Sequence, residues 1–211
     1  MKYTKFKNNL LQLPIITDKD FIIFDENRQA IKNQLKRWQD KRLVIKLRRG
    51  MYILNKNDRK INPSNQFIAN QLYAPSYVSM EYALGFYGLI PERVVEVTSV
   101  TSRKTAQFKN ELGVFTYQHI KPAGLRGFKA LKDESGPLFF IAEPEKAVVD
   151  FLYLNLAKFK PLDMDIFENS YRFQNTEGLK ERNIMHFARL FNSKKLAKIA
   201  GLFCRFMKEE G

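Results

Sequence analysis

The stretch RQAIKNQLKRWQDKRLVIKLRRGMYIL, residues 28–54, decides how this chain is read. Ile31, Leu35 and Trp38 recur at i, i+4 and i+7, the spacing of one helix face, and Asp25 and Glu26 just before them suit the positive end of a helix dipole. The opposite face carries Gln29, Asn33, Lys36 and Arg37, with Arg28 at the start and Lys32 on the flank. Leu43 to Leu47 and Met51 to Leu54 then form two strand-like runs around Arg48-Arg49-Gly50, where glycine supplies the permissive backbone of a tight turn. A basic amphipathic helix followed directly by a ribbon with two arginines at its tip describes a winged helix-turn-helix.

Reading outward to the N-terminus, Phe6, Leu10 and Leu13 suggest a first helix ended by Pro14, and Thr17 or Asp18 caps a short element through Phe24. Its Phe-Ile-Ile-Phe core fits a strand as well as a helical turn. Towards the C-terminus, the polar run NKNDRKINPSN (55–65) is the expected linker. The boundary therefore falls near residue 60, giving an N-terminal domain of residues 1–60 and a larger mixed α/β domain of residues 61–211, an α+β chain as a whole. Asn62 and Pro63 read as the start of a helix through Leu72, and Ser79 as the cap of another reaching Tyr87, stopped by Gly88. Val94 to Val100, Gly113 to Ile120 and Pro137 to Ala142 are β-rich, so three strands or more in a mixed sheet are expected. Pro144 opens a helix with Ala147, Val148, Phe151 and Leu152 or Leu154 facing inward. From about residue 160 a helical tail is expected, in which Ser193 caps a helix carrying Leu196, Ile199, Ala200, Phe203, Phe206 and Met207 on one stripe.

Charge narrows the function. The 211 residues carry 36 Lys and Arg against 22 Asp and Glu, a net of +14. Residues 1–60 hold 16 of those cations and 6 of the anions, and Arg28 to Arg49 holds nine cations and one acidic residue, Asp40. A solvated helix usually mixes its signs, so this unmixed run points to a polyanion. The N-terminal residues lack the apolar core of a signal peptide and no apolar run approaches the roughly 20 residues of a membrane span, which predicts a cytoplasmic protein without membrane contact.

Familiar catalytic motifs are absent: there is no Walker A loop, no G-x-G-x-x-G, no G-x-S-x-G and no H-E-x-x-H. The expectation is a protein that is not an enzyme and uses no cofactor or metal. Cys204 lies on the apolar stripe of the last helix and reads as a small buried hydrophobe, and His119 and His186 lack a partner at ligand spacing. Glu143, Glu145 and Asp150 are explained by dipole and capping effects around a helix start. The rival reading is a nucleotide-binding or enzymatic regulator acting through TSVTSRKT (98–105), where Thr101, Ser102, Arg103 and Lys104 follow a strand and would hold a phosphate.

KLRRGMYIL, YVSMEYALGFYGLIPE, TSVTSRKT, GVFTYQHI and IAEPEKAVVD follow one another in an order that resembles the AbiEi-type antitoxins, transcriptional regulators of bacterial abortive-infection (type IV toxin-antitoxin) systems. The resemblance covers roughly residues 5–155, and rests most on Ser79, Ala83, Leu84, Gly88 and Leu89 together with Pro144, Glu145, Ala147 and Asp150. It implies a repressor that binds inverted repeats in its own promoter, and a C-terminal domain that counters a cognate nucleotidyltransferase toxin without a stable complex. From the residues themselves, double-stranded DNA is the expected partner. Lys32, Lys41, Arg42 and Lys46 would neutralise phosphates, Gln29, Asn33, Lys36 and Arg37 would read bases, and Arg48 and Arg49 would reach the minor groove or phosphates.

Overall fold

The computed structural model describes residues 1–134, 136–160 and 164–209. It is an α+β structure built on two sheets. The first sheet belongs to the N-terminal residues: helix α1 (Tyr3–Leu10), strand β1 (Ile16–Thr17), a 3-10 turn (Asp20–Ile23), helix α2 (Arg28–Asp40) and the hairpin β2 (Val44–Arg48) and β3 (Met51–Leu54). Its order is β1-β3-β2, all antiparallel. Phe6, Leu10, Phe21, Phe24, Ile31, Leu35 and Trp38 fill one core against Val44, Tyr52 and Leu54 of the hairpin. Phe-Ile-Ile-Phe is thus helical rather than extended: Phe21 and Phe24 reach the core while Ile22 and Ile23 stay outside. α1 stops at Leu10, ahead of Pro14.

The second sheet has the order β6-β7-β5-β4-β9-β8. Its strands are β4 (Ser76–Val78), β5 (Val97–Thr101), β6 (Ala106–Asn110), β7 (Gly113–His119), β8 (Phe128–Lys132) and β9 (Leu138–Ala142). β5 runs parallel to β7 and β4 parallel to β9, so the sheet is mixed, as expected. Helix α3 (Asn65–Leu72) packs against it, and so do α4 (Met80–Phe86) and α5 (Pro144–Leu154). α3 begins later than its sequence suggests, because the Ser64 hydroxyl, rather than Asn62, accepts the Phe67 N–H that closes its first turn.

The tail is less helical than the sequence implies. Between α5 and α6 (Glu181–Arg189) the described residues form a 3-10 turn at Leu156–Lys158, a single π turn at Ile166–Ser170 and another 3-10 turn at Thr176–Gly178. Aromatic packing replaces helix there: Phe167 and Phe173 lie against Phe203 of α7 (Lys194–Glu209), at ring separations of 5.2 and 4.8 Å. Ser193 does cap α7, accepting the Leu196 N–H at 3.2 Å. Cys204 is buried, and burial pushes its thiol up to about 11.

The hairpin joins the two halves. Side chains alternate across a strand, and a β-bulge between Lys46 and Arg48 sets Arg48 opposite Met51. Leu47, Met51 and Ile53 consequently enter the core of the second sheet, while Val44, Tyr52 and Leu54 enter the first. The Asn110 amide donates to the Leu47 carbonyl at 3.1 Å. The polar run after β3 folds back on the first core: Asp58 accepts hydrogen bonds from Tyr3 at 2.7 Å and Lys7 at 2.9 Å, and Lys60 N–H reaches the Leu11 carbonyl.

Candidate nucleic-acid interface

α2 is positioned by its buried stripe. Ile31, Leu35 and Trp38 are 0, 1 and 6% exposed, and the Asn27 side chain caps the first turn by accepting the Gln29 N–H at 2.7 Å. Every candidate on the remaining face, Arg28, Gln29, Lys32, Asn33, Lys36 and Arg37, lies outside the core, with Asn33 and the cations at the helix surface. The Gln29 side-chain amide donates to the Asn33 side-chain Oδ1 at 3.1 Å, so two amides one helical turn apart are held as a pair. Such a pair offers the donor and acceptor groups that adenine edges present in a major groove.

The end of α2 carries the charge onward. Leu43 N–H bonds the Trp38 carbonyl and Arg42 N–H the Gln39 carbonyl, the two bonds of a Schellman motif. The residue at its left-handed position is usually glycine, yet here it is Arg42, at φ 54°. Lys41 and Arg42 are both exposed, as is Lys46 on the outer side of β2. Among the described residues, none of the nine cations between Arg28 and Arg49 lies in an ion pair. Asp40, the acidic residue within that span, is itself exposed.

The tip of the hairpin divides its two arginines. Arg49 is exposed, whereas Arg48 is half-buried and its Nε is buried without a hydrogen-bond partner among the described residues. Arg48 lies near enough to Tyr117 of β7 for its charge to oppose the rise that burial causes in that phenol's pKa. The pairing of the two arginines at the tip, natural from sequence, is broken by the second sheet packed alongside. Gly50, at φ +73°, fits against Asp18, whose carboxylate would sit 3.1 Å from an added Cβ. The turn stays short because the chain before the 3-10 turn closes over it, with Asp18 N–H bonded to the Gly50 carbonyl.

The residues of the rival phosphate site are largely engaged. The Thr101 hydroxyl donates to the Pro75 carbonyl at 2.7 Å and accepts the Arg103 N–H at 3.1 Å. The Arg103 guanidinium lies 4.3 Å over the Tyr73 ring and donates to the Ala74 carbonyl, leaving Ser102 and Lys104 beside His119 on an open surface. His119 meets the Arg103 carbonyl through Nδ1, and His186 lies on α6. Among the described residues no cluster of His, Cys, Asp and Glu is arranged to hold a metal ion.

One constellation goes beyond the sequence reading. Asp150, expected to serve a helix start, is fully buried inside α5 and accepts from Ser79 at 2.8 Å, from Tyr77 at 3.0 Å and from Lys146. Ser79 is consequently not a side-chain cap for α4. Burial holds the Asp150 carboxyl above, and the Lys146 ammonium below, their ordinary ranges, while their mutual attraction opposes both shifts. Glu145, also nearly buried, accepts from Lys180 N–H and the Asn183 amide. The i, i+4 spacing of Lys146 and Asp150 is a usable sequence signal; the approach of Ser79, 71 residues away, is not.

No protein-family model matches this chain, and no curated protein matches it at significant similarity. Among the described residues no helix is long and apolar enough to cross a membrane.

Proposed function

We propose that this protein is a sequence-specific, double-stranded-DNA-binding repressor whose residues 1–60 act as a winged helix-turn-helix. The observation that carries the reading is the outer face of α2, where, among the described residues, paired amides and cations stand without acidic partners beside the equally unpaired Lys41, Arg42, Lys46 and Arg49. The element order and the β1-β3-β2 sheet support the same reading, since a winged helix places its recognition helix directly before the ribbon. In this account Gln29, Asn33, Lys36 and Arg37 read bases and Arg28, Lys32, Lys41, Arg42, Lys46 and Arg49 bind phosphates. Arg48 positions the hairpin against the second sheet. The resemblance of residues 5–155 to the AbiEi-type antitoxins extends the proposal to autorepression through promoter inverted repeats and to the neutralisation of a nucleotidyltransferase toxin by the larger C-terminal part.

The test is fluorescence anisotropy on the duplex upstream of the gene and on a scrambled duplex, at two salt concentrations. The proposal expects the native duplex to bind about a thousandfold or more tightly at physiological salt. Equal binding of both, lost together as salt rises, overturns it.

A further inference from the structure

A second site lies far along the chain from α2. α4, the segment that follows it, α5 and the turn at Ser170 and Tyr171 line an open pocket of about 300 Å³, a volume at the lower end for small-molecule sites. Leu84, Ile90 and Val94 give it aliphatic walls, and Phe151 and Tyr171 line it with rings set edge to face at 4.7 Å. Gly85 lets residues 92–94 approach α4 closely: a Cβ there would lie 3.2 Å from the Glu92 carbonyl and 3.5 Å from Val94.

Two carboxylates, Glu81 and Glu92, line this largely apolar space. Glu81 belongs to the first turn of α4, and its Oε2 is buried and receives no hydrogen bond from the described residues. The surrounding charges are otherwise placed. Glu92 at the rim is held by the Arg172 guanidinium, and Glu96 accepts from the Thr116 hydroxyl. Lys158 is close enough to influence Glu81 but exposed and not in an ion pair with it. Burial raises the Glu81 carboxyl above its ordinary range, with Glu96 adding to the rise and a hydrogen bond from Glu81's own backbone N–H, then Lys158, opposing it. A buried carboxylate oxygen without a donor is costly, and aromatic faces beside it favour a cation.

We propose that this cavity binds a small organic monocation, an ammonium on an aromatic or branched apolar body, with Glu81 accepting the ammonium N–H and the aliphatic and aromatic walls enclosing the body. The pairing supplies the missing donor to Oε2 through a charge-assisted hydrogen bond, stronger than a neutral one. Discrimination should follow charge: the amine should bind about tenfold or more tightly than an alcohol of the same shape.

The test uses full-length protein labelled at Leu, Ile and Val methyls, titrated with 2-phenylethylamine and separately with 2-phenylethanol near neutral pH. Saturable shifts of the Leu84, Ile90 and Val94 methyls with the amine, at about a tenfold lower dissociation constant than the alcohol, are expected. Glu81→Gln should reduce the amine to the alcohol's affinity. Val94→Phe, which fills the cavity without touching the carboxylate, should remove the response to both compounds and keeps the test decisive if the Gln variant unfolds. No saturable shift at these methyls, equal binding of the two compounds by the wild type, an amine preference that survives in Glu81→Gln, or a response that survives Val94→Phe would overturn the assignment.

Discussion

Two groups of charge in this molecule are opposites. Lys146 is fully buried and meets Asp150, itself shared by Ser79 and Tyr77, so every charge and hydroxyl in that cluster has a partner. The cations from Arg28 to Arg49 are almost all exposed and, among the described residues, none is in an ion pair. The first arrangement ties α5 to β4 and to the start of α4, and it is sensitive to the loss of any member. Arg48 apart, the second does little for the fold, since among the described residues these charges make no ion pair that the fold relies on. Saturated charge in a core therefore reads as architecture, and unsaturated charge of one sign on a preorganised helix reads as a surface awaiting a polyanion.

The sharpest way to break this contrast is to remove one partner on each side. Asp150→Ala leaves a buried ammonium uncompensated and should cost about 3–5 kcal/mol in chemical denaturation. Lys146→Met with Asp150→Leu should cost much less than that single change. If Asp150→Ala were nearly neutral, the cluster would not be the structural centre described here. The triple change Lys32→Ala, Lys41→Ala, Lys46→Ala should alter stability by no more than about 0.5 kcal/mol per site. It should nevertheless weaken binding to all duplexes and lower the slope of log affinity against log salt by roughly one for each phosphate left unneutralised.

Smaller changes divide the surface further. Asn33→Ala should remove about 1–3 kcal/mol of preference for the native duplex over a scrambled one while leaving scrambled binding intact. Arg48 and Arg49 should part company: Arg49→Ala weakens DNA binding and spares the fold, whereas Arg48→Ala lowers the thermal midpoint with the smaller effect on DNA. Identical DNA defects for the two would restore the arginine pair at the hairpin tip. Arg42→Gly should raise stability by up to about 1 kcal/mol, because the left-handed position at the end of α2 suits glycine, and should weaken DNA binding at the same time.

The N-terminal half is largely legible in the sequence because its signals are local. The 3.6-residue spacing of Ile31, Leu35 and Trp38, and a glycine between two β-rich runs, need no information from elsewhere in the chain. The C-terminal half is less so. β4 is three residues long and β8 is exposed along most of its length, so neither shows the alternation that marks a half-buried strand. Asp150 resembles an ordinary helix-start carboxylate because its partners at Tyr77 and Ser79 come from another element, 73 and 71 residues away. Arg48 misleads for a related reason: the alternation in the hairpin is disturbed by the bulge at Leu47, and the sheet that half-covers the arginine is built from residues beyond 75. The exposure of Gln29, Asn33, Lys36 and Arg37 is legible in advance because a helix surface depends only on which face its own apolar stripe buries.

The central claim is that α2 and the residues just after it form the DNA-contacting face, and lysine-reactivity footprinting tests it most directly. The protein is acetylated with and without a saturating amount of the upstream duplex, and each lysine's modification is read by mass spectrometry. The account predicts that Lys32, Lys36, Lys41 and Lys46 become several-fold less reactive while Lys129 and Lys132 on the far edge strand do not change. Protection centred on Lys104, with the α2 lysines as reactive as in the free protein, would contradict it.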